Sequence, residues 1–337
     1  MTAAARRLLI ALAMLYPLGL LALTLLNTVR PRRAGMFAVT EVFAPYLFLG
    51  LAAVLPFALL RGAKALRVLL LVCAAVFLVR FPPGLAHASP PPNPGAIRLD
   101  VMTWNVLVGG WHEEIMKVLR QKPASIVALT EADWGWLAAD PEVAKLYPYR
   151  WGDQPGNLVS GQVLLTTYPI IEQGVVERDD PRGLPRVIWA RLDVGLGRNV
   201  VVVVAHPPPA RSCVKASIVP VRCYDPSLRD ELLAEARNFV QPFLDAGDPL
   251  LLVGDFNVTD REPAYADVSR GLTDAFKAVG VSTGATWRPA QLSRFDWALL
   301  RIDYLFSGPG VVPLSSEVDC TPRGSDHCIV HGAFEVR

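Results

Sequence analysis

The chain has 337 residues, 52% of them hydrophobic, and a mean hydropathy of +0.32. A single soluble enzyme is less apolar than this, so the composition excludes a chain that is soluble throughout. The net charge of +2 hides two unlike parts. Residues 1–95 hold nine Lys or Arg and one acid, which gives +8, whereas residues 96–337 hold 24 bases and 30 acids, which gives −6.

Three apolar segments fill the first part. They predict two or three transmembrane helices, at about residues 8–27, 36–60 and 66–82. The first segment is an uncharged run of 20 residues, which is enough to cross about 30 Å of hydrocarbon. The third has a shorter uncharged core between Arg67 and Arg80, so a buried or interfacial helix is the alternative there. Residues 1–85 are therefore predicted to form a multi-pass membrane region.

The distribution of basic residues gives an orientation. With three spans and the N-terminus inside, five Lys or Arg lie on the cytoplasmic side and four lie on the other side. Because basic residues favour the cytoplasm, this predicts a cell-membrane protein whose C-terminal part is extracytoplasmic. Cys213 and Cys223 fit either a loop disulfide, which requires an oxidising compartment, or two unpaired thiols.

Residues 86–96 contain four prolines, which exclude a helix or a central strand. We interpret this segment as a stiff linker that separates the membrane region from a globular domain. By its length, the remainder of the chain, residues 97–337, is predicted to be one domain.

Strand and helix patterns alternate along this domain. Strands are predicted at residues 98–104, 125–130, 186–194, 199–205 and 249–254, and helices at residues 111–121 and 227–244. Three of the strand segments are continuous apolar runs, which is typical of strands buried on both faces. Interleaved strands and helices predict a layered α/β domain.

Polar residues follow these strands, where ligand groups collect in layered α/β domains. The residues are Asn105, Glu131, His206, Asp255 and Asn257, and nearer the C-terminus Asp303, Asp326 and His327. Asn and Asp are common in turns, but Glu and His are poor turn formers, so Glu131 and His206 need another explanation. Carboxylate and amide oxygens suit Mg²⁺ or Mn²⁺, and histidines beside carboxylates exchange protons near neutral pH. Together these groups predict the hydrolysis of a phosphate ester.

An ordered set of short motifs supports this chemistry. The motifs are WN (104–105), LTE (129–131), GQVLLTTYPI (161–170), GDFN (254–257), RIDYLF (301–306) and SDHCIV (325–330). In this order they resemble the DNase I-like endonuclease/exonuclease/phosphatase family, over about residues 98–337. The resemblance implies a four-layer α/β sandwich, in which two mixed sheets pack together and helices cover the outside.

The resemblance also implies the metal site. Glu131 is expected to be the principal metal carboxylate, with Asn105 beside it and Asp326 contributing to the same region. The expected cofactor is Mg²⁺ or Mn²⁺.

Further roles follow from the same motifs. His327 is expected to activate the attacking water as a general base, and Asp303 to orient it. Asp255 is expected to position or deprotonate the nucleophile. His206 is expected to bind the phosphate or protonate the leaving oxygen. The expected phosphate contacts are Asn257 and Arg186.

The sequence therefore predicts a membrane-anchored hydrolase of a phosphodiester, which is either nucleic acid or a lipid headgroup. The alternative is a non-catalytic membrane-tethered domain that keeps the fold and binds a partner. A channel or transporter is disfavoured because Glu41 is the one acid of the membrane region. The expected contacts are the substrate and the lipid bilayer, and no protein partner is implied.

Overall fold

The computed structural model describes residues 2–82, 90–91, 93–108, 111–153, 161–176, 187–211 and 224–337. Arg186, Cys213, Cys223 and most of the predicted linker lie outside these residues. The chain divides into two compact units: Met1–Pro83 with Arg211–Pro226 and Arg261–Pro263, and the remainder of the chain.

The first unit is helical. Its helices are α1 (Ala3–Val29), α2 (Gly35–Val42), α3 (Ala44–Leu47), α4 (Leu55–Ala58) and α5 (Lys64–Arg80), and a 3-10 helix covers Phe48–Ala53. Leu66 and Cys73 of α5 are fully buried within this unit. Arg80 forms an ion pair with Glu41, so the one acid of the apolar region has a basic partner.

Only one described helix, α1, is by itself long and apolar enough to cross a membrane; a second span is possible if α2 and the helical segment after it count as one. That pair bends by 83°. The expected span at 36–60 is therefore not a straight helix. Pro45 and Pro56 stand at the starts of α3 and α4, where a proline is tolerated, and each proline removes a hydrogen bond to the preceding turn. The expected span at 66–82 corresponds to helix α5, whose 17 residues do not by themselves make it a candidate span.

The second unit contains twelve strands among the described residues. They are β1 (Ile97–Asn105), β2 (Ile126–Ala132), β3 (Tyr149–Asp153), β4 (Gly161–Thr166), β5 (Ile170–Val175), β6 (Ile188–Gly195), β7 (Arg198–Ala205), β8 (Leu250–Asp255), β9 (Thr273–Asp274), β10 (Asp303–Ser307), β11 (Val311–Asp319) and β12 (Ile329–Val336). Sheet 1 has the order β11-β12-β1-β2-β4-β3, and sheet 2 has the order β5-β6-β7-β8-β10-β9. Both sheets are mixed, because β1 and β2 are parallel, β7 and β8 are parallel, and their other pairings are antiparallel.

Helices cover the outer faces of both sheets. They are α6 (His112–Gln121), α7 (Trp134–Ala139), α8 (Pro141–Leu146), α9 (Ser227–Ala246), α10 (Pro263–Val268) and α11 (Ala275–Val279). Ile115 and Leu119 of α6 pack in one apolar cluster with the outer face of sheet 1, and Leu233 and Val240 of α9 pack in another with that of sheet 2.

A third apolar cluster lies between the sheets. It joins Val101 of β1 to Val202 of β7 and Val253 of β8, all of which are buried. Strands β7 and β8 therefore bury both faces, which explains their continuous apolar sequences. Burial of one such side chain stabilises the fold by about 1.5–3 kcal/mol. The order helix, sheet, sheet, helix confirms the expected four layers.

Candidate active site

Six of the predicted site residues meet at one edge of the two sheets, and we call this group the strand-end site. Its members are Asn105, Glu131, His206, Asp255, Asp303 and His327. Parallel pairing brings the ends of β1 and β2 together, and likewise those of β7 and β8. Antiparallel pairing of β10 with β8 places Asp303 directly opposite Asp255.

Asn105 links the two sheets within the strand-end site. Its amide nitrogen donates to Glu131 Oε1 and to Asp255 Oδ2, both at 3.0 Å. Glu131 belongs to sheet 1 and Asp255 to sheet 2. Hydrogen bonds to ionised groups contribute about 1.5–3 kcal/mol each to the stability of the fold. Because both carboxylates accept from the same nitrogen, this amide fixes the distance between them.

Glu131 occupies a backbone conformation that few side chains adopt. Its φ is +56°, and the pairing of β2 with β4 shifts register between Thr130 and Ala132. A β-bulge of this kind redirects one side chain of a strand. The bulge turns Glu131 toward Asn105, and its second carboxylate oxygen accepts from the Val108 amide at 2.9 Å.

His206 lies between the same two carboxylates. Its Nε2 is 3.6 Å from Glu131 Oε1 and 3.6 Å from Asp255 Oδ2, which is an ion-pair distance when the imidazole is protonated. His206 follows the last residue of β7 and is buried. It therefore faces the acidic centre of the strand-end site rather than solvent.

His327 and Asp303 form a buried hydrogen-bonded dyad. The imidazole Nδ1 is 3.0 Å from Asp303 Oδ2 and 3.2 Å from Oδ1. The opposite nitrogen, Nε2, is 3.7 Å from Asp255 Oδ2. A carboxylate on Nδ1 fixes both the ring orientation and the tautomer, and Nε2 then faces the reaction space.

The crowding of these groups shifts their proton affinities. Burial raises the pKa of Asp255 to about 6, and the nearby Asp303 adds to this effect, while the two histidines and the Asn105 hydrogen bond oppose it. Burial alone would lower the pKa of His327, but the charges of Asp303 and Asp255 and the hydrogen bond to Asp303 raise it to about 10. Strongly shifted pKa values in one cluster are typical of active sites.

Asn257 closes the turn after β8. Its φ is +49°, its backbone amide donates to Asp255 Oδ1 at 2.9 Å, and its side-chain nitrogen donates to the Pro207 carbonyl at 3.0 Å. The buried Arg229 donates to the Asn257 carbonyl at 2.9 Å. This amide thus positions the loops after β7 and β8, and its expected contact with a phosphate stays a prediction.

Comparison with known proteins identifies the family. Residues 102–327 match the family described as "Endonuclease/Exonuclease/phosphatase family". The chain belongs to this family. Its members are generally metal-dependent hydrolases of phosphodiester bonds.

Solved structures share the family fold. Truncated Caenorhabditis elegans TDP2 has a TM-score of 0.54 at 17% identity, covering 70% of this chain and 97% of that chain. The human Nocturnin catalytic domain also has a TM-score of 0.54 at 17% identity, with coverages of 75% and 97%. A functionally unknown conserved protein from Enterococcus faecalis has a TM-score of 0.55 at 14% identity, with coverages of 71% and 100%. None of the curated proteins matches. At these identities the likeness shows the fold alone.

The donor set of this family member fits a divalent cation. Ligand atoms of Asp255, Asp303 and His327 lie within 4.8 Å of one another. The carboxylate of Asp303 is already hydrogen-bonded to His327. Mg²⁺ and Mn²⁺ prefer oxygen ligands, so the carboxylate oxygens of Asp255 and Glu131 are the better ligands for them. Asp326 accepts from Trp287 Nε1 at 3.1 Å through Oδ2, whereas its buried Oδ1 has no hydrogen-bond partner in the structure. An unsatisfied buried carboxylate oxygen is consistent with a cation ligand.

The predicted metal ligand Asn105 has a different environment. As assigned, its amide nitrogen faces the carboxylates, and its oxygen accepts from the Leu107 amide at 3.0 Å. Metal binding through the Asn105 oxygen stays a prediction, as does the phosphate contact of Arg186, which lies outside the described residues.

Sequence reasoning missed several supporting residues. Ser325 donates to the Asn105 carbonyl at 2.7 Å and accepts from the His327 amide at 3.0 Å. A disulfide joins Cys320 and Cys328. The eight-residue spacing of these cysteines around SDH was an available signal, since a hairpin loop closed by a disulfide has this pattern.

Proposed function

We propose that the protein is a membrane-anchored phosphoesterase that hydrolyses a phosphodiester with the help of a divalent cation, Mg²⁺ or Mn²⁺. One observation carries this proposal: side chains from six strand ends meet in the strand-end site. These strand ends are separated by up to about two hundred residues of sequence, and a merely structural role does not require buried charges to collect in one place.

The roles we propose follow the geometry. Glu131 is the principal ligand of the cation, Asn105 and Asp326 contribute to the same region, and Asp255 faces Glu131 from sheet 2. The cation, when bound, supplies positive charge to the phosphate oxygens. His206 binds the phosphate or protonates the leaving oxygen.

His327 is proposed as the general base that Asp303 orients. A base must be unprotonated, and a pKa of about 10 leaves the imidazole protonated at neutral pH. That pKa reflects the negative charges of Asp303 and Asp255. Positive charge held near Asp255 offsets part of this field and favours the neutral imidazole.

Lipid headgroups are the favoured substrates within this proposal, and nucleic acid is the other class. Residues 96–337 carry a net charge of −6, which opposes the approach of a nucleic-acid backbone. Helix α1 is long and apolar enough to span a bilayer, and tethering raises the local concentration of lipid substrates. The proposed division is a membrane region at residues 1–85, a linker at 86–96 and a catalytic domain at 97–337.

The full chain in detergent micelles with Mg²⁺ or Mn²⁺ provides the test. The substrates are plasmid and linear DNA, RNA, sphingomyelin, phosphatidylinositol phosphates and a bis-aryl phosphodiester. We expect hydrolysis of at least one substrate, its abolition by a chelator, and a loss of about a hundredfold or more in Glu131→Ala and His327→Ala. Glu114→Ala, a change on the surface of α6, is the matched control.

One outcome favours the alternative. If the wild type and both site variants are equally inert on every substrate with either metal, the chain is a membrane-tethered binding domain that retains the fold.

A further inference from the structure

The loop that carries Asp326 and His327 is closed at its base by a covalent bond. Strands β11 and β12 form an antiparallel hairpin whose last register pair is Asp319 with Ile329. Cys320 directly follows Asp319, and Cys328 directly precedes Ile329. The disulfide between these cysteines encloses the whole connection. His327 is the residue immediately before Cys328, so the bond lies next to the dyad.

The two halves of this loop are held unequally. The second half is bonded to the protein interior: the Arg288 amide donates to the Asp326 carbonyl at 3.1 Å, and the Cys328 amide donates to the Thr286 carbonyl at 2.7 Å. In the first half, Thr321 and Arg323 hydrogen-bond to Asp319 and to each other. The hydrogen bonds of Thr321 and Arg323 thus stay within the first half, and the disulfide adds a covalent link from this half to Cys328, beside the paired residues Asp319 and Ile329.

Arg288 supports the bond from inside the protein. Its guanidinium is fully buried, and Nη1 lies 3.1 Å from the sulfur of Cys328, while Nη2 donates to the Ser293 carbonyl at 3.1 Å. The same residue bonds through its backbone to Asp326. Sulfur, guanidinium and loop backbone thus form one contact region behind the His327 side chain.

We infer that Cys320 and Cys328 are positioning residues: their disulfide holds Asp326 and His327 in working geometry, and the site reaches its full rate only when the bond is formed. This inference rests on the proposed function. Reduction by a dithiol breaks the S–S bond with two electrons and two protons and yields two thiols, while the reductant becomes a cyclic disulfide. The loop then loses the covalent link between its two ends, and only the pairing of β11 with β12 still closes it.

The test uses the full chain with Cys213→Ser and Cys223→Ser, so that those two cysteines play no part. Adding Cys320→Ser and Cys328→Ser removes the bond. We expect kcat to fall about a hundredfold, because small displacements of a catalytic group have effects of this size. We expect KM to change by less than about twofold, because the loss is confined to the transition state.

Dithiothreitol is expected to lower kcat of the background protein to the same extent, and reoxidation to restore it. An unchanged kcat in the variant that lacks the bond overturns the inference while leaving the proposed function intact.

If the background protein hydrolyses nothing, the proposed function has failed, and amide hydrogen exchange then decides the positional claim. Removal of the bond should accelerate exchange at residues 321–327 and leave β1 and β7 unchanged. Equal exchange in this loop with and without the bond would overturn the claim.

Discussion

At the residue scale, the strand-end site is a group of carboxylates held together by the hydrogen-bond donors between them. Asn105 holds Glu131 and Asp255 at hydrogen-bond distance from the same nitrogen. His327 lies between Asp303 and Asp255, so a buried carboxylate flanks it on each side. Each buried charge would be costly if it were left alone, so removal of one partner should affect the others.

Asp303→Asn tests the dyad. The amide keeps the shape of the side chain but no longer holds the imidazole by its charge, so we expect kcat to fall by about a hundredfold or more. The measurement is steady-state hydrolysis of the substrate found in the panel. Asp267→Asn, the same change at a half-exposed surface position, should keep wild-type kcat. A similar kcat for the two variants would remove Asp303 from the proposed mechanism.

His331 gives the fold a separate dependence on pH. Burial, together with the nearby Lys122 and Arg323, lowers the pKa of His331 from 6.5 to about 4, although Asp319 opposes this. Between these values the unfolded chain binds the proton and the folded chain does not, so stability falls as the pH drops from 7 toward 4. The loss is at most about 3 kcal/mol.

Urea unfolding at several pH values measures this effect. His331→Gln should flatten the pH dependence relative to the wild type between pH 6.5 and about 4, whereas His112→Gln, at the residue that stacks on Trp136, should leave it unchanged. Parallel curves for His331→Gln and the wild type would show that this imidazole does not titrate as described.

At the element scale, the strands were the most predictable part of the molecule. The apolar runs at 199–205 and 249–254 became β7 and β8 with ends within one residue, because burial on both faces leaves no polar position. The helices predicted at 111–121 and 227–244 correspond to α6 and α9, with ends within two residues. The bulge at Glu131 could not be predicted, because a register shift depends on the partner strand and not on the local sequence.

Gly254 is required where β8 approaches β7. Its φ is +134°, and a Cβ at this position would lie 2.1 Å from the Ala205 carbonyl oxygen. Gly254→Ala should therefore lower the free energy of unfolding by about 3 kcal/mol or more, as measured by urea denaturation. Gly247→Ala is the matched control, since Gly247 has a φ of +73° but open space around it. Its cost should be about 1–2 kcal/mol. Equal losses would mean that the strands separate freely to admit the methyl group.

At the scale of the whole molecule, the convergence of the site was predictable only through the ordered motifs. Local patterns placed Asp255 and His327 at strand ends, but β8 and β12 belong to different sheets, and only the packing of the two sheets brings their ends together. The helices of residues 1–82 were harder to predict, because hydropathy does not register the breaks that Pro45 and Pro56 allow between short helices.

Membrane anchoring through α1 is tested by fractionation. Leu15 and Leu18 lie near the middle of α1 and are exposed in the structure. Replacing both with Arg should raise the cost of insertion by about 5–7 kcal/mol and shift the chain out of the carbonate-resistant membrane fraction. Replacing both with Ala should leave it there. If the Arg variant stays in the membrane, α1 is not the anchor.

Orientation has its own measurement. An alkaline phosphatase reporter fused after Arg337 should be active, because this enzyme needs the disulfides that form outside the cytoplasm. An inactive reporter, together with an active cytoplasmic reporter at the same position, would reverse the proposed orientation.

The most direct measurement of the central claim is Mn²⁺ binding to the full chain, followed by electron paramagnetic resonance. The wild type should bind Mn²⁺ stoichiometrically, and Glu131→Gln should weaken the affinity by at least about tenfold. Glu317→Gln, at an exposed position of β11, should bind like the wild type. Absence of binding by the wild type, or equal affinity in Glu131→Gln and Glu317→Gln, would contradict a cation site at the meeting point of the two sheets.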